Sequence, residues 1–239
     1  MYIKATNSTN SLMKEMLAKG EWPEGERFLY TGYQTAGRGQ TGNSWESEAD
    51  KNLLCSILLP PNKNLYFLNI AVGVAIIRVI QSVLCQRSGL YSVLSIKWPN
   101  DIYFGDKKVA GILIENAIIG NEIKYSIAGI GLNVNQTTFV SDAPNPVSLK
   151  QITGKEYDIE RLMSLLFETV QSVLNESEQE VWAYYKSHLY RREGFWPFED
   201  KNGTFEARIS DVLPTGEIVL RDQEGTPHQY HFKQVRYVI

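Results

Sequence analysis

The alternation of apolar and polar residues along the chain predicts an ordered series of helices and strands. The first helix begins at Ser8 or Thr9, either of which can act as an N-cap, and it ends at Gly20. Its apolar residues fall on one stripe, which comprises Leu12, Met13, Met16 and Leu17. Strands are predicted over 27–34, 52–59, 92–98, 108–117 and 122–134, and further helices over 65–84, 158–174 and 177–189.

Two segments lie outside this pattern of long elements. Residues 136–157 are rich in Pro, Ser and Thr and are predicted to form a long loop. From about Phe195 the chain changes to short β-rich runs separated by turn residues, which is typical of a small barrel. The predicted fold class is therefore a mixed α+β domain followed by a small all-β domain, with the two domains spanning 1–190 and 191–239.

The apolar and charged content is that of a soluble globular protein. Hydrophobic residues make up 43% of the sequence, and 24 Lys and Arg stand against 27 Asp and Glu, a balance that disfavours a nucleic-acid-binding protein. The most apolar stretch, 65–77, is interrupted by Asn69 and is too short to span a bilayer as a helix. The first residues lack the features of a signal peptide, so we expect a cytoplasmic protein with no membrane partner.

Cysteine and histidine residues do not follow a metal-binding pattern. Cys55 and Cys85 each lie inside an apolar run without CxxC spacing, so we expect buried, reduced thiols. His228 and His231 are three apart within a predicted strand, where such a pair is more often surface decoration than a zinc site. We therefore expect no metal site built from these side chains.

A glycine-rich loop, TGYQTAGRGQTGNSW, leads from the strand predicted over 27–34 towards the next one. Gly37 to Gly42 fits the GxGxxG pattern, but no helix follows the glycines directly and no acidic residue holds the ribose position, which disfavours a Rossmann-type site. Glycine N–H groups can instead approach an anion, Arg38 offers a cationic fork, and Trp45 can cover a ligand. A plain hairpin with a solvated Arg38 and a core Trp45 is an equally good interpretation.

Three further turns carry residues that packing does not require, in KWPND (97–101), KKVAGILIE (107–115) and GIGLNVN (129–135). Lys108 can hold an ammonium group at the mouth of a site, although with Lys107 beside it an ordinary basic turn also fits. Lys97 lies within a predicted strand, where a cation needs a carboxylate partner or a route to solvent. Asn100 and Asp101 also fit simple turn formers.

The four motifs together resemble those of the biotin protein ligases, because they occur in the order GRGQTGNSW, KWPNDI, KKVAGILIE and GIGLNVN, with NSTN near the start. The resemblance runs from about Ser8 to the C-terminus. It implies an α+β catalytic domain with a mixed or antiparallel sheet, related to class II aminoacyl-tRNA synthetases, and a small C-terminal SH3-like barrel. It also implies that biotin and ATP, with Mg²⁺, give biotinyl-5′-AMP, which then acylates a lysine of a biotin carboxyl carrier domain.

The resemblance implies roles for individual residues. The catalytic residues would be Lys108, Arg38 and Asp101, and the biotin-binding residues would be Ser8, Thr9, Gln34, Gly37, Arg38, Lys108 and Gly111. Ser8 and Gln34 would bond the ureido group, and Lys108 would bridge the biotin carboxylate and the α-phosphate. Arg38 and its loop would hold the carboxylate and phosphate and close over the adenylate, and Asp101 would receive the carrier lysine.

The nucleotide side is implied in the same way. Its residues would be Gly39, Gln40, Asn43, Trp45, Asn100, Gly129 and Asn133, with Asn100 reading adenine and Trp45 stacking near it. Many members of that family carry a second arginine where this chain has Gln40, and a basic residue where it has Asn43. Since Gln40 adds no charge, we expect retention of the adenylate to rest more on Arg38, Lys108 and Mg²⁺.

Some members of that family also carry an N-terminal helix-turn-helix module and repress transcription. Here the motifs begin at about Ser8, which leaves no room for that module, so we expect no DNA partner. A homodimer is compatible with the resemblance, and the sequence does not fix the oligomeric state.

Two other functions stay as alternatives. A lipoate or octanoate protein ligase performs similar chemistry, but this chain lacks the Arg-Arg and Ser-Gly-Gly-Gly type signature of those enzymes. A non-catalytic biotin-binding protein has less need for cations around a phosphate, and here Arg38, Lys97, Lys108 and Asp101 are intact. The C-terminal barrel also fits a protein-binding module.

Overall fold

The computed structural model describes residues 1–40, 42–62, 64–84, 93–120, 122–140 and 145–239. The first sheet contains β1 (Tyr2–Thr6), β2 (Phe28–Gln34), β3 (Leu53–Leu59), β4 (Leu94–Lys97), β5 (Asp101–Phe104), β6 (Lys107–Ile119) and β7 (Glu122–Leu132). The helices are α1 (Thr9–Lys19), α2 (Leu65–Leu84), α3 (Leu149–Thr153), α4 (Ile159–Leu174) and α5 (Glu178–Ser187). The second sheet contains β8 (Trp196–Asp200), β9 (Gly203–Val212), β10 (Ile218–Asp222), β11 (Pro227–Tyr230) and β12 (Val235–Tyr237).

The first sheet is mixed, as predicted. Its seven strands follow the order β1-β2-β3-β7-β6-β5-β4, in which β1 and β2 are parallel and every other neighbouring pair is antiparallel. The second sheet has five antiparallel strands in the order β11-β10-β9-β8-β12. The α+β fold with a separate C-terminal antiparallel sheet is therefore confirmed.

Helix α1 lies against one face of the first sheet and carries the NSTN segment. Ser8 is the N-cap in an extended conformation, and Gly20 closes the helix in the left-handed region at φ 72°, as predicted. Met13 is fully buried and belongs to a small cluster with Leu29 and Ile127 from the sheet. This packing fixes the first turn of α1 above β3 and β7.

Helix α2 is the central core helix, as predicted for 65–84. The apolar run does not stop at residue 77, and by length and composition the 20-residue helix could cross a membrane, so the expectation that this stretch is too short was wrong. However, 72% of its most apolar window is buried inside the protein. It packs against α4, α5 and the strands β4, β5 and β6, which accounts for its apolar character on all sides.

Several predicted boundaries differ from the structure. Residues 136–157 are not all loop, because α3 lies within them and begins with a capping box between Ser148 and Gln151. Asp158 and Ser177 precede their helices as N-caps, and the last helix ends at Ser187. The strand predicted over 92–98 is observed as β4, and residue 92, like residue 121 of the predicted turn, lies outside the described residues.

The second sheet packs onto the first unit through a continuous hydrophobic cluster. Its buried side chains in this cluster are Phe198, Ala207, Ile209, Val212, Ile218, Leu220 and Val235. Near the end of β4, Trp98 Nε1 donates a hydrogen bond of 2.9 Å to the carbonyl of Gly216, and its ring meets Phe232 edge-on. The C-terminal sheet therefore borders the segment that carries KWPND. The division into separate domains at 190/191 stays a prediction.

Candidate active site

A groove of about 760 Å³ opens on the first sheet and brings the sequence motifs together. Of the residues predicted to bind or catalyse, those that line it are Ser8, Thr9, Gln34, Arg38, Gly39, Gln40, Asn43, Trp45, Asn100, Asp101, Lys108, Gly111, Gly129 and Asn133. They come from the start of α1, the glycine loop, the β4–β5 turn and the strands β6 and β7. Five segments of the chain thus form one surface.

The glycine loop is a hairpin that leads from β2 towards β3, with residue 41 outside the described residues. Gly39 N–H donates to Asn43 O at 2.9 Å, and Trp45 N–H donates to Gly37 O at 3.0 Å. A side chain on Gly37 would place its Cβ 2.5 Å from the carbonyl oxygen of Trp45. Gly37 does not line the groove, so its observed role is to close the hairpin.

One end of the groove is polar and held by helix α1. Thr9 donates to the side-chain oxygen of Gln34 through its N–H at 2.8 Å and its hydroxyl at 3.2 Å. These bonds orient the Gln34 amide. Thr9 therefore positions Gln34 and also lines the groove itself. Ser8 is 4% exposed and lies beside them, which makes this end a preformed set of hydrogen-bonding groups.

Arg38 is held by a carboxylate on β6. Its two terminal nitrogens lie 3.3 and 2.6 Å from the two carboxylate oxygens of Glu115. The Arg38 side chain is 42% exposed and that of Glu115 is 24% exposed, so solvent screens the pair. The predicted alternative of a solvated arginine is partly right, because the guanidinium is exposed but paired.

Lys108 is held in the same manner by Asp101. Its Nζ lies 2.6 Å from Asp101 Oδ1 and 5.5 Å from the centre of the Trp45 ring. The two side chains are 26% and 17% exposed. Asp101 is thus more than a turn former, and Lys108 belongs to a charged site rather than to an ordinary basic turn.

Two glycines on neighbouring strands form a bed for the Trp45 ring. A Cβ on Gly131 would lie 2.3 Å from this ring, and one on Gly111 would lie 3.0 Å from it. Gly111 and Gly131 are paired in register across β6 and β7. Trp45 therefore packs on the sheet and lines the groove at once, while its buried Nε1 has no hydrogen-bond partner in the described part of the chain.

The two predicted asparagines are fixed by backbone contacts. Asn100 Nδ2 donates to the carbonyl of Ile112 at 2.5 Å, which ties the β4–β5 turn to β6. Asn133 Nδ2 donates to Val147 O at 3.2 Å. Its Oδ1 is buried and accepts no hydrogen bond from the described residues, so Asn133 presents an acceptor next to the groove.

Sequence reasoning missed Asn10 and Glu115. Asn10 is 2% exposed, accepts a hydrogen bond from Ser56 Oγ at 2.6 Å and donates to Glu115 Oε2 at 2.9 Å. A side chain on Gly129 would place its Cβ 2.6 Å from Asn10 Oδ1, so this glycine makes room for the asparagine. Both residues stand in quoted motifs, NSTN and KKVAGILIE, and a lone carboxylate in an apolar strand was the available signal for Glu115.

The structure describes Cys55, His228 and His231 but not Cys85. Cys55 is a free thiol, 1% exposed at the floor of the groove, and burial raises its pKa. Cys85 lies outside the described residues. His228 pairs with Asp222 at 2.8 Å, and His231 lies 3.5 Å from Glu217. The described residues contain no group of three or more His, Cys, Asp or Glu side chains fit to hold a metal ion.

Comparison with known proteins finds a matching family and related sequences. The model of the biotin/lipoate A/B protein ligase family matches residues 2–133. The bifunctional ligase/repressor BirA of Bacillus subtilis is 27% identical over 96% of this chain and 71% of its own length. The biotin–[acetyl-CoA-carboxylase] ligase of Paracoccus denitrificans is 30% identical over 67% of each chain.

Solved structures have the same fold. The biotin protein ligase of Aquifex aeolicus in complex with biotin and ATP superposes with a TM-score of 0.79, at 24% identity, over 100% of this chain and 98% of that chain. The biotin protein ligase of Leishmania major in complex with biotinyl-5-AMP gives a TM-score of 0.65 at 22% identity, over 96% and 97% of the two chains. At these identities the likeness establishes the fold.

Proposed function

The chain belongs to the biotin/lipoate A/B protein ligase family, and from this premise we propose that it is an ATP-dependent biotin protein ligase. It forms biotinyl-5′-AMP and transfers biotin to a lysine of a biotin carboxyl carrier domain. The observation that carries the proposal is that Arg38 and Lys108, from separate elements, line one groove. Joining a carboxylate to a triphosphate requires fixed positive groups between two anions.

In the first step, a carboxylate oxygen of biotin attacks the α-phosphorus of ATP, and the bond to pyrophosphate breaks. Ser8 and Gln34 receive the ureido ring, next to Thr9, while Gly37 closes the hairpin that carries Arg38 and Gly111 leaves room for Trp45 and Lys108 at the groove. Arg38 exchanges Glu115 for the ligand carboxylate, and Lys108 exchanges Asp101 for the α-phosphate. The two ion pairs support this exchange because they hold both cations in a defined orientation before the anions arrive.

The nucleotide occupies the half of the groove beside Trp45. The ring stacks near adenine, and Asn133 Oδ1, which is buried without a donor from the described residues, accepts from the ligand. Gly39, Gln40, Asn43 and Gly129 border the phosphates and sugar. Asn100 reads adenine while its Nδ2 stays on Ile112.

Magnesium enters this proposal as the counter-ion of ATP. When bound, Mg²⁺ neutralises phosphate charge. It characteristically keeps several waters and needs only one or two protein oxygens beside substrate phosphates. The described residues hold no cluster of three acidic or His ligands, which fits an ion carried by the phosphates rather than by a protein cage.

In the second step, the carrier lysine attacks the acyl carbon of biotinyl-5′-AMP and AMP leaves. Asp101 receives the incoming ammonium, which must lose a proton before it attacks. When Lys108 turns to the phosphate, the carboxylate that held it at 2.6 Å becomes available. Asp101 thus serves both steps in sequence.

Finer features of the resemblance belong to the same proposal. They are a kinship of the first unit with class II aminoacyl-tRNA synthetases, an SH3-like form of the second sheet, a domain division at 190/191 and a cytoplasmic location. The five-stranded antiparallel topology supports the second of these. A homodimer is tested by light scattering with and without biotin and ATP.

The decisive experiment is exchange of labelled pyrophosphate into ATP, measured with biotin, lipoate and octanoate in parallel. We expect exchange with biotin and none with lipoate or octanoate. Exchange with lipoate or octanoate in place of biotin would establish the other ligase class. Biotin binding by calorimetry without exchange would establish a non-catalytic binding protein.

A further inference from the structure

Lys97 is a third cation of the groove and has an unusual environment. It lies at the end of β4, opposite Asp101 in the register with β5, and it lines the groove. No carboxylate within the described ranges comes within ion-pair distance of its Nζ, because Asp101 is bonded to Lys108. The ammonium instead lies 5.2 Å from the centre of the Tyr103 ring and 5.0 Å from that of Tyr237.

The second of these rings comes from the C-terminal sheet. Tyr237 ends β12, opposite Phe198 of β8. The centre of its ring lies 4.9 Å from that of Phe198 and 5.7 Å from that of Tyr190. Its hydroxyl is buried and makes no hydrogen bond to the described residues. Since the hydroxyl makes no hydrogen bond to Lys97, Tyr237 contacts Lys97 through its ring face.

The surroundings of Lys97 work against its charge. Burial lowers the pKa of Lys97, and the nearby positive charges of Lys108 and Arg191 lower it further, while Asp101 raises it. Aromatic faces favour the protonated form, since the negative face of the ring attracts a cation. The two tyrosines therefore help to keep this ammonium positive in a partly dry site.

We propose that Tyr237 is a positioning residue, which holds the Lys97 ammonium in the groove so that Lys97 adds a third positive charge towards the phosphates of ATP. The inference rests on the proposed function, because it presumes that a polyphosphate occupies the groove. It extends the adenylation site into the second sheet through one side chain. Lys97 binds the nucleotide, and Tyr237 acts through Lys97.

The test compares Tyr237→Leu, Tyr237→Phe and Tyr230→Leu in biotin-dependent pyrophosphate exchange. Tyr230 is the matched control, since it is a partly buried tyrosine on β11, at the opposite edge of the same sheet and outside the groove. Loss of the ring in Tyr237→Leu should lower kcat/KM for ATP by roughly three- to thirtyfold, with little change in KM for biotin. Tyr237→Phe keeps the ring and should behave like the parent.

The pH profile separates positioning from a structural role. Without the ring, the protonated form of Lys97 loses support, its pKa falls, and the alkaline limb of kcat/KM for ATP moves to lower pH. In a Lys97→Arg background the guanidinium does not titrate, so Tyr237→Leu should leave that limb unmoved. Equal effects on biotin and ATP with an unmoved limb would overturn the proposal.

A measurement on the parent protein covers the case in which Tyr237→Leu does not fold. With ¹³C-labelled lysine, the ε-methylene protons of Lys97 should resonate upfield of other lysines, because they face two rings, with Lys97→Arg giving the assignment. An ordinary shift would overturn the contact. Absence of any biotin-dependent exchange in the parent would instead overturn the proposed function, so the two failures are distinguishable.

Discussion

The two ion pairs in the groove are built from different kinds of backbone. Arg38 stands in an irregular hairpin loop, whereas Lys108 lies on β6 inside the seven-stranded sheet. Their partners, Glu115 and Asp101, both lie on strands. The arginine side chain is 42% exposed and the lysine side chain 26%.

Although both residues are cations paired with a carboxylate, the difference in backbone and exposure suits Arg38 and Lys108 to different tasks. A cation on a packed strand changes only the direction of its side chain when substrate binds, because its backbone is fixed in the sheet, and such a fixed base suits stabilisation of a transition state. A cation on an exposed loop can leave Glu115 and move with the loop, which suits capture of a carboxylate and retention of the adenylate. We therefore expect losses at Lys108 to appear in catalysis and changes at Arg38 to appear in binding.

The largest effect is expected from Lys108→Ala. Removing the fixed ammonium should lower the rate of pyrophosphate exchange by roughly a hundred- to a thousandfold, the range seen when one preorganised charge-stabilising group is removed. Lys107→Ala is the matched control, since Lys107 is exposed and lies outside the groove. Equal loss in both variants would show that the basic turn, rather than one lysine, carries the effect.

A smaller effect is expected from Gly131→Ala, which tests the packing of the Trp45 ring on the paired glycines of β6 and β7. The added Cβ would lie 2.3 Å from the Trp45 ring, so the ring must move away from the sheet. Loss of stacking should raise KM for ATP by roughly ten- to a hundredfold. Gly73→Ala in α2 is the control, because its Cβ would meet neighbours only at 3.6 Å or more. An unchanged KM would mean that Trp45 does not contact the nucleotide.

The smallest effect is expected from Glu115→Gln, which removes the negative charge that pairs with Arg38 and keeps a side-chain oxygen that can accept the hydrogen bond from Asn10. If Glu115 competes with the ligand carboxylate, the exposed pair is weak and KM for biotin should fall by about two- to fivefold. Steady-state exchange at varied biotin measures this, with the exposed Glu122→Gln as control. A rise in KM would show that Glu115 positions Arg38 for biotin instead of competing with it.

Local signals in the sequence were sufficient for the scaffold of the site. Gly20 as a helix terminator, the apolar stripe of α1 and the continuous apolar run of α2 each depend on neighbours in sequence, and each prediction was confirmed. The hairpin form of the glycine loop followed from what surrounds it. Helix α3 was missed, although Ser148 and Gln151 have capping-box spacing, because the Pro, Ser and Thr content around it favoured a loop.

Partners across the groove could not be read from the chain. The contact of Asn10 with Glu115 depends on α1 packing over β3 and β7, and the contact of Lys97 with Tyr237 depends on where the second sheet packs. A motif names the residues of one turn, but it does not name which carboxylate each cation faces before substrate binds. Glu115 and Asp101 acquire those roles only from strand pairing.

The burial of α2 has a consequence for how the protein is made. Its long apolar surface leaves the ribosome well before α4 and α5, which cover it in the finished fold, have been translated. During that interval the helix resembles a membrane segment in composition, and the nascent chain carries a surface that chaperones recognise and that promotes aggregation. Ribosome-bound chains that stop before residue 159 should therefore bind ribosome-associated chaperones more strongly than chains that extend past residue 187.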